Sequence, residues 1–136
     1  MKLTHLLDTS VYSQRLRREP LESVVRRWSE LGDDALAVSA IGEGELHFGL
    51  ELKDSPRLRL EYEKYLRHRL TFLPVDRAVV LAYGALKAAL WKKGCPSGEL
   101  DMWIGATALS RNLVLATLNV KHFAAMPGLV VEDWSV

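Results

Sequence analysis

Cysteine is nearly missing from this chain. Cys95 stands alone, which excludes an intramolecular disulfide framework and any Cys-cluster zinc site. No long hydrophobic run is present either: the longest uncharged apolar stretch, about Ala78 to Leu86, falls far short of the ~20 residues that a membrane span needs. The first residues, Met1-Lys2-Leu3-Thr4-His5-Leu6-Leu7-Asp8, lack the apolar core of a secretion signal. An excess of one charge is absent too. With 18 Lys+Arg against 17 Asp+Glu and a formal net charge of +1, no global field drives the protein onto nucleic acid, and any such surface must be a local patch. Repeats, linkers and low-complexity tracts are not found. These absences predict a soluble, cytoplasmic protein of a reducing compartment with no membrane partner. What is there, 136 residues with 49% apolar and 26% charged, is an ordinary globular mix. It suffices for one domain over residues 1–136 with a core that needs no covalent staples.

Periodicity then predicts the elements. Leu3–Leu7 reads as a short strand that runs into a helix at Asp8-Thr9, from Ser10 to about Arg18. Pro20 opens a second helix, with Leu21, Val24, Val25, Trp28 and Leu31 at helical spacing, and Gly32-Asp33-Asp34 closes it. Leu36–Ser39 is a strand, residues 41–53 a helix, and Ser55-Pro56 the start of another. Phe72–Val75 is a short strand whose Pro74 suits a sheet edge. Asp76 caps a long helix striped by Val79, Tyr83, Leu86 and Leu90 and stopped by Gly94 and Pro96. Asp101 is read as the cap of a helix to about Ser110, followed by a fully buried strand at Leu113–Thr117 and a last one at Gly128–Val131. Strands alternating with helices imply a three-layer α/β/α sandwich around a mostly parallel sheet. In such a sheet ligands sit beyond the carboxyl ends of the strands.

Asp8, Glu45, Asp101 and Asn119 all fall at such ends or in the helices that start there. Asp8 and Asp101 also suit plain helix capping, at roughly two chances in three when each is taken alone, and Asn119 suits a turn. Glu45 sits within an apolar arc of Ile41, Leu46, Phe48, Gly49, Leu50 and Leu52, whereas Glu43, His47 and Glu51 fall outside it and are assigned to a solvated face. A carboxylate on a core-facing stripe costs several kcal/mol unless it is paired or metal-bound, which favours a functional Glu45. Ile104, Gly105 and Ala108 make a small-residue face that would bring the Asp101 helix close to the sheet and to Asp8. Thr9 and Thr117 are placed to orient waters or carboxylates. Three carboxylates within a few ångströms must take up protons or bind a cation. Oxygen-only ligands select a hard one, Mg²⁺ or Mn²⁺, suited to phosphodiester hydrolysis.

The whole chain resembles the PIN-domain ribonucleases, and among them the toxin subunits of VapBC-type toxin–antitoxin pairs. The likeness is carried in order by Leu6-Leu7-Asp8-Thr9-Ser10, by Val38-Ser39-Ala40-Ile41 through Gly44-Glu45-Leu46-His47-Phe48-Gly49, and by Leu100-Asp101-Met102-Trp103-Ile104-Gly105. Leu115-Ala116-Thr117-Leu118-Asn119-Val120-Lys121-His122-Phe123 and Pro127-Gly128-Leu129-Val130-Val131-Glu132-Asp133-Trp134 complete it. The resemblance implies a Mg²⁺- or Mn²⁺-dependent endoribonuclease acting on tRNA or rRNA. Asp8 and Asp101 fall on its metal-ligand positions, with Glu45 as a ligand or water-activating base. The fourth acidic position, often Asp, is Asn119 here, which can orient water but cannot act as a base. Ser10 stands where the family often has Asn, its hydroxyl available to Asp8. The resemblance further implies a homodimer and a VapB-type antitoxin in a helix groove, with DNA contacted only through that antitoxin.

Other signals carry less. Gly42-Glu43-Gly44 fails as a dinucleotide loop because His47 stands at the third glycine. His5, His47, His68 and His122 lack metal-ligand spacing and read as solvated or hydrogen-bonded. Cys95 has no base nearby in sequence. Arg15, Arg17, Arg18, Arg26 and Arg27, with Arg57, Arg59, Arg67 and Arg69, divide evenly between solvated faces and phosphate contacts. Leu16, Leu21, Val24 and Trp28 suggest a groove for a partner helix. Two rival functions follow: a non-catalytic RNA- or partner-binding domain, motivated by Asn119, and a receiver-like phosphorylatable domain. The second lacks its paired acids, its central Asp and its late Lys.

Overall fold

The computed structural model describes residues 2–136. Its centre is a five-stranded sheet in the order β3-β2-β1-β4-β5, with every pairing parallel. The strands are short: β1 (His5–Leu7), β2 (Leu36–Ser39), β3 (Thr71–Leu73), β4 (Val114–Thr117) and β5 (Val131–Asp133). Leu6 lies level with Ala37 and Leu115, and Leu7 level with Val38 and Ala116. Because side chains alternate along a strand, these two rows point to opposite faces. The first row packs with Val79, Leu86, Leu90, Ile104 and Ala108. The second packs with Val11, Tyr12, Val24, Leu46, Leu50 and Trp134. The result is the α/β/α sandwich expected. Both faces of the central strands are buried, which is why they read as continuous apolar runs.

Helices α1 (Thr9–Tyr12), α2 (Glu22–Leu31), α3 (Ala40–Lys53) and α4 (Pro56–Tyr65) cover one face, and α5 (Arg77–Lys93) and α6 (Glu99–Ser110) the other. Their starts follow local chemistry. The side chains of Asp8, Ser39, Ser55 and Asp76 each accept a backbone N–H in the first turn of the helix they precede. Gly94, at φ 67°, ends α5 in the left-handed conformation that glycine adopts without strain. The third strand is at the sheet edge, as expected, but it runs Thr71–Leu73 rather than residues 72–75, so that Pro74 lies just past it and withholds no ladder hydrogen bond.

Other features depart from the sequence reading. The helix after β1 is a single α turn continued by a 3₁₀ segment at Ser13–Leu16, because Pro20 and the buried Gln14 draw the chain away: the Gln14 amide oxygen accepts the Leu21 N–H at 3.0 Å. Helix α6 begins two residues before Asp101, with Gly98 as its cap. The last strand is Val131–Asp133 rather than residues 128–131, since Gly128, at φ 77°, makes a turn and pairing with β4 begins at Leu115. Finally, Gly105 serves a loop and not the sheet: a Cβ there would lie 2.5 Å from Met126 Sδ and 3.6 Å from Leu86 Cδ2. Among the described residues no helix is long and apolar enough to cross a membrane.

Candidate active site

The chain leaves β1 for β2 and β3 on one side, then returns to place β4 on the other side of β1. That reversal opens a crevice beyond the carboxyl ends of β1 and β4. Asp8 and Thr117 stand on its two lips. Asp8 is 5% exposed. Its Oδ1 accepts the Ser10 hydroxyl at 2.6 Å and the Val11 N–H at 3.1 Å, and its Oδ2 accepts the Thr117 hydroxyl at 2.6 Å. Asp8 is therefore both a helix cap and a buried charge. Burial raises its pKa above the usual carboxylate value, against the lowering effect of the bonds from Ser10, Thr117 and Val11. Among the described residues no cation pairs with it.

Glu45 reaches the same edge from the second turn of α3, and its Oε1 accepts the Thr9 hydroxyl at 2.5 Å. Gly42 permits this approach: a Cβ there would lie 3.3 Å from Val38 Cγ2 and 3.8 Å from Thr9 Oγ1. Neighbouring hydroxyls, Thr9 and Ser10, thus orient Glu45 and Asp8. The arc that singled out Glu45 is not the one the fold uses. Gly42, Leu46 and Leu50 are buried, but Phe48 and Leu52 are 67% and 72% exposed. Glu45 lies on the margin of a narrow buried stripe, where a carboxylate meets both a hydroxyl and solvent.

Asp101 does not cap its helix. It occupies the first turn of α6, which runs back from the carboxyl edge toward the start of β4. Its Oδ2 lies 3.1 Å from His122 Nδ1, in the 3₁₀ turn (Val120–His122) that follows β4. Asn119, just past β4, is exposed, and its backbone N–H donates to Thr117 Oγ1 at 2.9 Å. All four residues named from the sequence therefore border one edge. Asp8 and Glu45 are bound by the adjacent hydroxyls of Ser10 and Thr9, and Asp101 is paired with His122. Among the described residues, however, no three His, Cys, Asp or Glu side chains converge closely enough to cage an ion.

The donor set suits a hard cation nonetheless. A buried carboxylate that no cation among the described residues balances, with the Glu45 carboxylate held by the neighbouring Thr9, offers oxygen ligands of the kind Mg²⁺ takes from protein, the remainder being water and substrate phosphate.

Two residues of this region were not singled out by sequence. His122 is one; its contact with Asp101 joins residues 21 apart and has no local signature. The other is Glu43, which is not on a solvated face. Its side chain is only 18% exposed. It accepts the Tyr12 hydroxyl at Oε2 (3.0 Å) and the Tyr62 hydroxyl at Oε1 (2.8 Å), with His47 Nε2 3.2 Å away. Burial and the Glu43 charge push both tyrosine hydroxyls above their ordinary pKa, so both remain donors. The remaining histidines are hydrogen-bonded, as expected: His5 to Thr4 and Glu132, His68 to Arg67. Several arginines prove to be paired on the surface, Arg57 with Glu61, Arg59 with Glu51 and Asp54, and Arg67 with Glu63. The groove residues separate as well. Leu16 turns into the core, while Val24 and Trp28 line a cleft of about 420 Å³ with Val25, Tyr65, Arg15 and Arg69.

An all-parallel α/β/α sandwich with carboxylates at its switch point defines the class of protein, and comparison with known proteins sharpens it. The PIN domain family profile matches residues 5–129. The tRNA(fMet)-specific endonuclease VapC of Salmonella typhimurium is 32% identical over 132 residues, 97% of this chain and 98% of that protein. Ribonuclease VapC2 of Haemophilus influenzae has the same identity and coverage. Among solved structures, DNA-bound VapBC from Salmonella typhimurium superposes with a TM-score of 0.84 at 30% identity, over 97% of this chain and 98% of that one. FitAcB from Neisseria gonorrhoeae does so with 0.87 at 28%, over 96% and 98%. The chain belongs to the PIN-domain family, and within it to the VapC proteins of VapBC toxin–antitoxin systems.

Proposed function

We propose that this protein is a Mg²⁺- or Mn²⁺-dependent endoribonuclease, the toxin of a type II toxin–antitoxin pair, that cleaves cellular RNA of the tRNA or rRNA class. The observation that carries the reading is the buried Asp8 carboxylate at the switch point, held by Ser10 and Thr117 and unbalanced by any cation among the described residues, with Glu45 bound to the neighbouring Thr9. Asp8 and Asp101 would hold the metal, and Glu45 would hold it as well or take the proton of the attacking water. The bound cation would lower the pKa of that water and offset charge on the scissile phosphate. Thr9, Ser10 and Thr117 fix the directions of Glu45 and Asp8. Asn119 would orient a water at the rim, and as an amide it cannot serve as the base.

The same reading extends to partners. The structural relatives include VapBC complexes, two of them bound to DNA. A VapB-type antitoxin segment would lie in the cleft lined by Val24, Val25, Trp28 and Tyr65, an apolar floor flanked by Arg15 and Arg69. DNA would then be contacted through the antitoxin. Val80, Leu81 and Trp91 on α5 and Phe48 and Leu52 on α3 leave large apolar side chains in solvent, which favours a homodimer.

The test is cleavage of total cellular RNA by the purified, antitoxin-free protein with Mg²⁺ or Mn²⁺ against EDTA, with Asp101→Asn alongside. Metal-dependent cleavage that is lost in Asp101→Asn is the expected result, and mapping the cut ends names the substrate. A folded protein that binds RNA or an antitoxin peptide but cleaves nothing with either metal would refute the nuclease. It would favour a binding domain, with Asn119 the suspected cause.

A further inference from the structure

Glu43 has no part in the site just described, yet it is the most thoroughly bonded carboxylate on α3. Both its oxygens receive a tyrosine hydroxyl, Tyr12 from α1 at 3.0 Å and Tyr62 from α4 at 2.8 Å. Tyr12 is 1% exposed and Tyr62 9%. His47, one turn on along α3, closes the group, its Nε2 lying 3.1 Å from the Tyr62 hydroxyl and 3.2 Å from Glu43 Oε1. Three helices therefore meet at one side chain.

The geometry points to Glu43 as a positioning residue for Glu45, acting with Tyr12 and Tyr62 through the rotation of α3; this inference rests on the nuclease reading above. Helix α1 is a single turn, too short to hold itself in place. Two hydroxyls one turn apart on it, Thr9 and Tyr12, bind two carboxylates of α3, Glu45 and Glu43. The pair of contacts fixes α3 against the turn that Asp8 caps. Tyr62, from α4, holds the other Glu43 oxygen, so α3 cannot roll and carry Glu45 away from the Thr9 hydroxyl. The hydroxyls also occupy both Glu43 oxygens, which keeps this carboxylate from competing for the cation that Glu45 and Asp8 would share. Partners behind a metal ligand typically change affinity or activity by about 10- to 100-fold when removed.

Tyr12→Phe and Glu43→Gln test this on the full-length protein, with Mn²⁺ affinity by calorimetry, kcat and KM for RNA, and amide hydrogen exchange along α3. The expected result is a roughly ten-fold weaker Mn²⁺ affinity and lower kcat at unchanged KM. In a Glu45→Gln background neither change should weaken Mn²⁺ affinity further, since they act through Glu45. Variants that melt earlier yet keep wild-type Mn²⁺ affinity and kcat would overturn the inference and leave the node merely structural. If the unmutated protein neither binds Mn²⁺ nor cleaves RNA, the nuclease reading fails by itself. Hydrogen exchange then decides the node: faster exchange at residues 42–46 in Tyr12→Phe upholds the restraint on α3, and unchanged exchange removes it.

Discussion

Replacing Asp8 with asparagine separates the stability of the active edge from its chemistry. In the folded protein this carboxylate is buried, receives three hydrogen bonds, and has no cationic partner among the described residues. An amide keeps the bonds from Ser10 and Val11 at its oxygen and loses the one from Thr117. A hydrogen bond to a charged acceptor contributes about 1.5–3 kcal/mol. Against that loss stands the removal of an ionised group from a buried position, and burial is the larger effect on Asp8, because its pKa is raised despite its donors. A raised carboxyl pKa means that the folded chain holds the proton more tightly than the unfolded one. Stability then declines as pH rises from the unfolded value near 3.8 through the raised folded value, and the deficit is complete above it. At pH 7 Asp8→Asn should therefore unfold in urea no more readily than wild type, and the wild type should gain on it as pH falls through the folded pKa. Saturating Mn²⁺, at 100 times its Kd, should stabilise the wild type by about 2.7 kcal/mol and leave the variant unmoved. RNA cleavage by the variant should be abolished. Two results would refute this reasoning. Near wild-type cleavage would remove Asp8 from the chemistry. Destabilisation of more than about 3 kcal/mol at pH 7 would mean that a cation balances the carboxylate, as in a broken buried ion pair.

Further expectations address other parts of the molecule. Glu45→Gln should sharply reduce cleavage while costing no more than about 1–2 kcal/mol in urea unfolding, since among the described residues its one side-chain bond is from Thr9; severe destabilisation would make Glu45 a structural partner instead. Gly105→Ala should destabilise by about 1–3 kcal/mol, because the added methyl runs into Met126, and a companion Met126→Ala should recover part of the loss in thermal melts. Trp28→Ala should weaken binding of an antitoxin peptide, measured by calorimetry, without changing cleavage by the free protein, as the cleft is apart from Asp8. Glu132 responds to pH in the opposite sense to Asp8. Burial raises its pKa, but bonds from Trp134 and His5 and the charges of His5 and Arg27 outweigh it, so its carboxyl sits below the ordinary value. The stability it contributes is present above about pH 4.5 and fades as pH falls through the depressed value, and Glu132→Gln should flatten that part of the acid unfolding curve.

The sequence by itself determined the alternation of strands and helices, because both signals are local: buried strands are short apolar runs, and helix starts are written as Asp8, Ser55 and Asp76. It also marked the edge on which the candidate residues lie, since a parallel sheet puts every strand-to-helix junction on one side. The placement of Asp8, Glu45, Asp101 and Asn119 at that edge was legible for that reason. The reason given for Glu45 was nonetheless inexact, because a helical wheel shows which residues share a side and not how wide a strip its neighbours cover. Phe48 and Leu52 lie within the wheel's arc and outside the contact. Only the tertiary structure decided what each carboxylate meets. Asp101 faces His122 rather than capping α6, and Glu43, placed by its wheel position in solvent, is half-buried between tyrosines 31 residues before it and 19 after it in the chain. Such pairs depend on how α1, α3 and α4 pack together. Helical periodicity carries the faces of single helices, and the distances between helices arise only when those faces close on a common core.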